Sequence, residues 1–173
     1  MNVEATEQSR AADDAEASYE AFVAARSASL YRTAFLLTGQ DADAEDLLQV
    51  VLIKLYVAWG KARRARSVDA YARTVMTHAF ISSRRPARFT RERVVEALPE
   101  RQAGTAEPDT RLALWPQVVA LPLRQRAVVV LRYYEDLSEA EIAEALGCSV
   151  GTVKSTAHAA LRSLRGRLGE GEL

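Results

Sequence analysis

The chain has 173 residues, of which 49% are hydrophobic, and 23 basic residues balance 23 acidic ones. That length allows one larger domain or two small ones, and the apolar share suffices for a packed core. The zero net charge excludes a uniformly basic nucleic-acid binder, and the single cysteine, Cys148, excludes an internal disulfide. Because no apolar run has the length of a signal peptide or a membrane span, we expect a cytoplasmic protein without membrane insertion.

The first part of the chain divides into a tail and a helix. Ala, Leu, Arg and Glu dominate the composition, and no stretch alternates as a strand does, so helices are favoured throughout. Residues 1–18 contain five acids and one Arg without apolar periodicity, which predicts a disordered acidic tail. From Ser18 to Leu37 apolar residues recur at helical spacing, and Thr38-Gly39 ends that helix.

A second helix is predicted from Asp41 to Trp59, with acids crowding its first turns, where they complement the helix dipole. One apolar stripe follows the i, i+3, i+4, i+7 spacing of a core-facing helix. A second apolar side is formed by Val50, Ile53 and Val57. A helix of this kind is either fully buried or presents one face to a protein partner, and both interpretations stay open at this point.

A third helix begins after Ser67 or Asp69, either of which can cap it, and runs to about Arg85 before Pro86 stops it. It lies inside a basic block, residues 61–91, which holds nine Lys or Arg and one Asp.

The basic block has two interpretations. Its cations could bind phosphates while its aromatic rings stack on unpaired bases, as on a single-stranded nucleic-acid surface. Alternatively, the charges form a solvated face while Tyr71 and Phe80 belong to the core.

Residues 89–110 have weak periodicity and mixed charge, which predicts a flexible linker. The chain is therefore expected to be all-α, with two small helical domains joined by that linker. The first domain spans residues 19–88 and the second 111–168, before a short tail at 169–173. Two helices open the second domain, over Leu112–Leu121 and Leu123–Tyr134, with Pro122 in a first turn.

The second domain ends in a pair of helices within "LSEAEIAEALGCSVGTVKSTAHAALRSLR", residues 137–165. Ser138 and Glu141 form a capping box at the start of the first helix of this pair. Gly147 fits a left-handed C-terminal cap, and Ser149 can cap the following helix. These signals predict a helix–turn–helix.

The last helix has two unlike sides. Its predicted inner residues are Val150, Val153, Ala157, Ala160, Leu161, Leu164 and Leu168. Its predicted outer residues are Gly151, Thr152, Lys154, Ser155, His158 and Arg162. The outer set begins with small and polar residues and ends basic, as a recognition helix in a DNA major groove requires. The alternative is an amphipathic helix with a solvated polar face.

Together these stretches resemble a bacterial RNA polymerase sigma factor of the short extracytoplasmic-function (ECF) class, and within it the actinobacterial SigE-like group. The resemblance spans about Tyr19 to Leu168. It is carried by "DAEDLLQVVLIKLYVAW", "AYARTVMTHAFISSRR" and "LPLRQRAVVVLRYYEDLSEAEIAEALGCSVGTVKSTAHAALRSLR".

The resemblance implies an alternative sigma factor that binds core RNA polymerase, through its β′ clamp helices and β subunit, and directs initiation at −35 and −10 promoter elements. Core docking would fall on Asp46, Gln49 and Lys54. Recognition and melting of the −10 element would fall on Arg73, His78, Phe80, Arg84, Arg85 and Arg88. The outer residues of the last helix would read the −35 element. An anti-sigma factor is a further partner known in the family, about which these residues carry no information.

The basic helix departs from the family pattern in its middle, and near its end Ser82 and Ser83 stand where the family often has Trp. SigE-like sequences tend to have Asn in the middle of the basic helix, where this chain has His78. Imidazole can donate, accept or stack, so a role in melting is retained, while the −10 preference of relatives is not carried over.

Two other classes of function fit the sequence less well. A stand-alone helix–turn–helix regulator usually dimerises, and no dimerisation helix follows Leu168. An enzyme is disfavoured because the chain lacks a Gly-Lys-Ser phosphate loop, a His-Glu-x-x-His motif and cysteine pairs. No catalytic residue, cofactor or metal is predicted.

Overall fold

The computed structural model describes residues 3–83 and 108–169, and the side chains of residues 10–83 and 114–167. Within these residues all regular secondary structure is helical, which confirms the all-α prediction. Four helices form a first region: α1 (Val3–Thr38), α2 (Asp41–Val57), α3 (Trp59–Ala62) and α4 (Val68–Ser82). The second region comprises α5 (Pro108–Val119), α6 (Leu123–Val129), a π-helical turn (Val130–Tyr134), α7 (Glu139–Leu146) and α8 (Val150–Gly169).

The boundaries of the first region follow local signals. Gly39 ends α1 with φ +82°, and its N–H donates to the Phe35 carbonyl at 2.7 Å. Ser67 caps α4 by accepting a hydrogen bond from the Ala70 N–H at 3.2 Å, so Ser67 rather than Asp69 is the cap. Helix α4 ends at Ser82, three residues before the predicted end, and the predicted stop at Pro86 lies outside the described residues.

The predicted disordered tail over residues 1–18 is not what the structure has, because helix α1 already begins at Val3. Its outer half is rich in Ala and Glu, which are strong helix formers. Ala15 and Tyr19 pack against the core, and the Tyr19 hydroxyl donates to the Leu52 carbonyl at 2.9 Å. Once the helix is formed at Ala15 and Tyr19, its extension toward Val3 does not require a new helix nucleus, whose formation is costly.

The second region contains a wide turn between α6 and α7. In the π-helical segment the N–H of Glu135 donates to the carbonyl of Val130 at 3.0 Å, five residues back. Asp136 follows with φ +55°, a left-handed conformation that Asp tolerates. This turn brings the chain back so that α8 packs against α6 and α7 packs against α8.

The two helical regions share one core, a contact that the sequence did not predict. The rings of Phe35 and Trp115 stack with centroids 6.2 Å apart, and the Thr33 hydroxyl donates to Glu135 at 3.1 Å. Helix α4 also lies against α7. Of the predicted linker at 89–110, the last three residues belong to α5 and the others lie outside the described residues.

Candidate functional site

The turn between α7 and α8 has the geometry that its sequence predicts. Ser138 Oγ accepts from the Glu141 N–H at 3.3 Å, and the Ser138 N–H donates to Glu141 Oε2 at 2.8 Å, which confirms the capping box. The Ser138 hydroxyl also donates to Glu141 Oε2, at 2.7 Å. This hydrogen bond, together with the one from the Ser138 N–H, lowers the pKa of the Glu141 carboxyl, because both favour its charged form. Gly147 caps α7 with φ 63°, and Ser149 Oγ accepts from the Thr152 N–H at 3.1 Å.

The outer face of α8 is accessible to solvent. Its exposed side includes all six residues predicted for the −35 element: Gly151, Thr152, Lys154, Ser155, His158 and Arg162. On the inner side Val153, Ala157, Ala160 and Leu164 are buried as predicted, Leu161 is half-buried, and Leu168 lies outside the described side chains.

Val150 is the exception on this helix, because it is 39% exposed rather than turned inward. It is the first residue of α8.

A charged network that the sequence did not reveal links the two helices of the pair. Glu139 in the first turn of α7 accepts a hydrogen bond from Arg132 at 2.5 Å and lies 3.6 Å from the Lys154 ammonium. The hydrogen bond from Arg132, aided by the positive charge of Lys154, lowers the pKa of the Glu139 carboxyl. Because Glu139 and Lys154 stand fifteen residues apart on different helices, periodicity within one helix could not pair them.

A second accessible surface lies on α2. The residues predicted for polymerase docking, Asp46, Gln49 and Lys54, are all exposed. Beside them, Ile53 and Val57 are 61% and 81% exposed. Helix α2 is therefore not buried on all sides, and of the two interpretations left open by its sequence the structure has the one with an exposed apolar face. Val50 and Tyr56 complete this face, which we call the α2 face.

The residues predicted for the −10 element differ in their exposure. His78 is exposed and Arg73 half-buried on α4, so both can meet a ligand. Phe80 was predicted to contact bases, but it is 4% exposed and lies in the core, because the Arg126 guanidinium from α6 covers its ring at 5.7 Å. In this conformation the alternative reading of Phe80 as a core residue is the correct one. Arg84, Arg85 and Arg88 lie outside the described residues.

The part of the chain that the structure describes contains neither a metal-binding cluster nor a membrane span. There, no group of three or more His, Cys, Asp or Glu residues could hold a metal ion. Among the same residues, no helix combines the length and the apolar character of a membrane span.

Comparison with known proteins identifies both helical regions. Residues 22–90 match the family model for sigma-70 region 2, and residues 112–164 match that for sigma-70 region 4. Over 157 residues the chain is 40% identical to the RNA polymerase sigma-E factor of Streptomyces avermitilis, covering 87% of this chain and 84% of that protein. The chain belongs to the RNA polymerase sigma factors. It is likewise 38% identical to the ECF RNA polymerase sigma factor SigL of Mycobacterium tuberculosis, with 80% and 81% of the two chains covered.

The fold of this ECF sigma factor is shared with a solved relative. The Bartonella quintana sigma factor RpoE, determined in complex with the anti-sigma factor NepR, superposes with a TM-score of 0.65 at 21% identity, covering 88% of this chain and 97% of that one. The first region of the structure is thus sigma region 2 and the second is sigma region 4. The protein is an alternative sigma factor that directs transcription initiation with core RNA polymerase at promoter DNA. These comparisons give no support to a stand-alone regulator.

Proposed function

We propose that α8 reads the −35 element of the promoter from the major groove. The observation that carries this proposal is that all six small, polar or basic outer residues of α8 are exposed on the second helix of a fully capped helix–turn–helix. A helix seated in the groove needs such residues, since bulky side chains would prevent close approach and cations hold the phosphates.

The −10 element is assigned to α4 and the basic segment that follows it. Arg73 and His78 offer a guanidinium and an imidazole on an accessible side of α4. Arg84, Arg85 and Arg88 would add phosphate contacts that hold the separated strand. Strand opening would be driven by binding energy, because capturing an unpaired base offsets lost stacking, on the order of a few kcal/mol.

Core polymerase is assigned to the α2 face, where the β′ clamp helices would dock. Interfaces commonly surround an apolar centre with a polar rim. The α2 face has this layout, with Ile53 and Val57 at its centre and Asp46, Gln49 and Lys54 at its margins.

The sigma factor supplies promoter choice and strand opening without chemistry of its own, and the polymerase supplies catalysis. We place it in the cytoplasm, where core polymerase and promoter DNA are found. An anti-sigma factor is a further expected partner, since a sigma factor of the same fold was solved with one.

Transcription reconstitution tests these assignments together. The purified chain is mixed with sigma-free bacterial core polymerase and sheared genomic DNA from its source, and transcript 5′ ends are sequenced. Discrete start sites that share upstream −35 and −10 motifs are expected. An absence of start sites, together with an absence of core binding, would contradict the proposal and direct the search to a palindromic operator.

A further inference from the structure

Three charged side chains from three segments of region 4 meet where α7 packs against α8. Glu139 is the first residue of α7, Arg132 lies in the π-helical turn before it, and Lys154 lies in the second turn of α8. The two carboxylate oxygens of Glu139 have different partners. Oε1 accepts from Arg132 Nη1 at 2.5 Å, whereas Oε2 lies 3.6 Å from Lys154 Nζ. One carboxylate therefore connects a residue outside the helix pair to the outer side of α8.

The two contacts of Glu139 differ in kind. The contact with Arg132 is a hydrogen bond between two charged groups, which is the stronger class of hydrogen bond. The contact with Lys154 is longer than the limit of about 3.2 Å usual for an N–H···O hydrogen bond. It is an ion pair that leaves the three donors of the ammonium available. Arg132 therefore anchors the carboxylate, while Lys154 can exchange this contact for one with DNA.

The exposure of the three side chains follows the same order. The side chains of Glu139 and Arg132 are 27% and 34% exposed, whereas that of Lys154 is 63% exposed. The hydrogen bond between Arg132 and Glu139 raises the pKa of the guanidinium and lowers the pKa of the carboxyl, so both stay charged at neutral pH. The carboxylate is thus a fixed negative charge beside a mobile ammonium.

Helix α8 has no acid of its own with which Lys154 could pair, since no residue from Val150 to Gly169 is Asp or Glu. A lysine ammonium sits on a flexible four-carbon stem. Without Glu139, the ammonium would spread over many positions along the outer side of α8. The restriction of Lys154 therefore comes from another helix.

The place of Lys154 on α8 suits contact with a base. The N-terminal residues of a recognition helix meet base edges in the major groove, and a lysine there can donate to O6 and N7 of guanine. Contact with a base edge requires the ammonium at one position, whereas the phosphates attract a cation whatever the sequence. Restricting the ammonium therefore favours base contact over sequence-independent binding.

We propose that Glu139 is a positioning residue for sequence reading: held by Arg132, it directs Lys154 toward a guanine of the −35 element. It thereby raises the preference for that element rather than the affinity for DNA in general. The inference rests on the proposed assignment of α8 to the −35 element. Glu139 itself contacts no base and acts only through Lys154.

Glu139→Gln tests the proposal in the complex of the full chain with core polymerase. The amide oxygen can still accept from Arg132, but it has no charge to direct the ammonium. The matched control is Glu144→Gln, which removes the same charge from an exposed position of the same helix. Fluorescence anisotropy measures affinity for two promoter fragments that share one −10 element. One carries the −35 motif found at the start sites, and the other carries that motif scrambled.

Wild type is expected to prefer the intact fragment. Glu139→Gln should bind this fragment about fivefold more weakly and the scrambled one within about twofold of wild type, whereas Glu144→Gln should keep the wild-type preference. Parallel tightening on both fragments would show that the carboxylate only repels phosphates, and parallel weakening that it only supports the fold. Either result, or an unchanged preference, would overturn the proposal. If wild type does not distinguish the fragments, the assignment of α8 fails instead.

The same substitution in a Lys154→Ala background tests whether Glu139 acts through Lys154. In that background Glu139→Gln is expected to leave the preference between the two fragments within about 1.5-fold, because the residue that it directs is absent. A loss of preference as large as in the wild-type background would contradict the proposal, since Glu139 would then act on DNA without Lys154.

Discussion

The carboxylate of Glu139 at the start of α7 lies 3.6 Å from the ammonium of Lys154 on the outer side of α8, the proposed recognition helix. The carboxylate thereby restrains a long, otherwise mobile side chain that is 63% exposed. A cation held in this way loses less rotamer freedom when it meets a phosphate or a guanine edge.

Replacing Lys154 or Arg162 by Ala is expected to weaken binding to a −35 duplex by about 5- to 100-fold, because each removes one cation from the DNA-facing side of α8. Fluorescence anisotropy with a labelled duplex measures the change, and pull-down with core polymerase provides the control. Loss of both DNA and polymerase binding would indicate misfolding and speak against the assignment of these residues.

The double substitution Asp46→Ala and Gln49→Ala is expected to weaken core binding by about tenfold, and Ile53→Ala by a similar factor, since truncation at the centre of an interface costs most. Affinity for core polymerase is measured by surface plasmon resonance. Glu144→Ala, which removes an exposed carboxylate from α7, is the matched control. Unchanged affinity in both the double variant and Ile53→Ala would remove the α2 face from the interface.

His78→Ala is expected to impair strand opening by about tenfold while leaving duplex binding within twofold of wild type, because we assign the imidazole to the unpaired bases of the −10 element. Permanganate footprinting of promoter complexes reports the unpaired thymines. The other histidine gives the matched control, since His158→Ala should weaken −35 binding instead. Footprints identical to wild type would refute a melting role for His78.

The capping box predicts a stability change in acid. Hydrogen bonds from Ser138 lower the pKa of Glu141 below its ordinary value of 4.5 in the folded chain. A carboxyl with a depressed folded pKa contributes stability that is fully present above the unfolded pKa and is lost as the pH falls through the folded pKa. The stability advantage of wild type over Glu141→Ala should therefore shrink as the pH falls below about 4.5.

Urea unfolding of wild type, Glu141→Ala and Glu141→Gln at several pH values measures this effect. The Gln side chain can still accept from the Ser138 N–H but does not titrate, so its advantage over Ala should stay constant across the same range. Parallel pH profiles for Glu and Gln at this position would show that the charge of Glu141 does not contribute.

The local features of the helix–turn–helix could be predicted because each depends on residues three or four apart. The capping box of Ser138 and Glu141 and the caps at Gly147 and Ser149 need no knowledge of the remaining chain. The exposed side of α8 could be predicted from the helical spacing of its apolar residues alone, except at Val150, the first residue of the helix.

Contacts between distant segments could not be predicted in this way. The sequence around Phe80 is compatible both with stacking on a base and with burial in the core. The ring is covered by Arg126, which lies 46 residues further along the chain. The polar composition of residues 3–18 likewise predicts disorder when it is considered alone. Only the anchoring of Ala15 and Tyr19 against the core explains why the helix continues outward.

Helix α1 spans 36 residues, so at 1.5 Å per residue it is a rod about 54 Å long. The side chains of residues 10–14 are exposed, whereas the turns from Thr33 to Leu37 contact both sigma regions. Amide protons along this one helix would therefore exchange with solvent over a steep gradient, fast at the tip and slow at the base. Exchange of the slow amides at the base would report on the contact between the two regions, because these amides lose protection whenever that contact is broken.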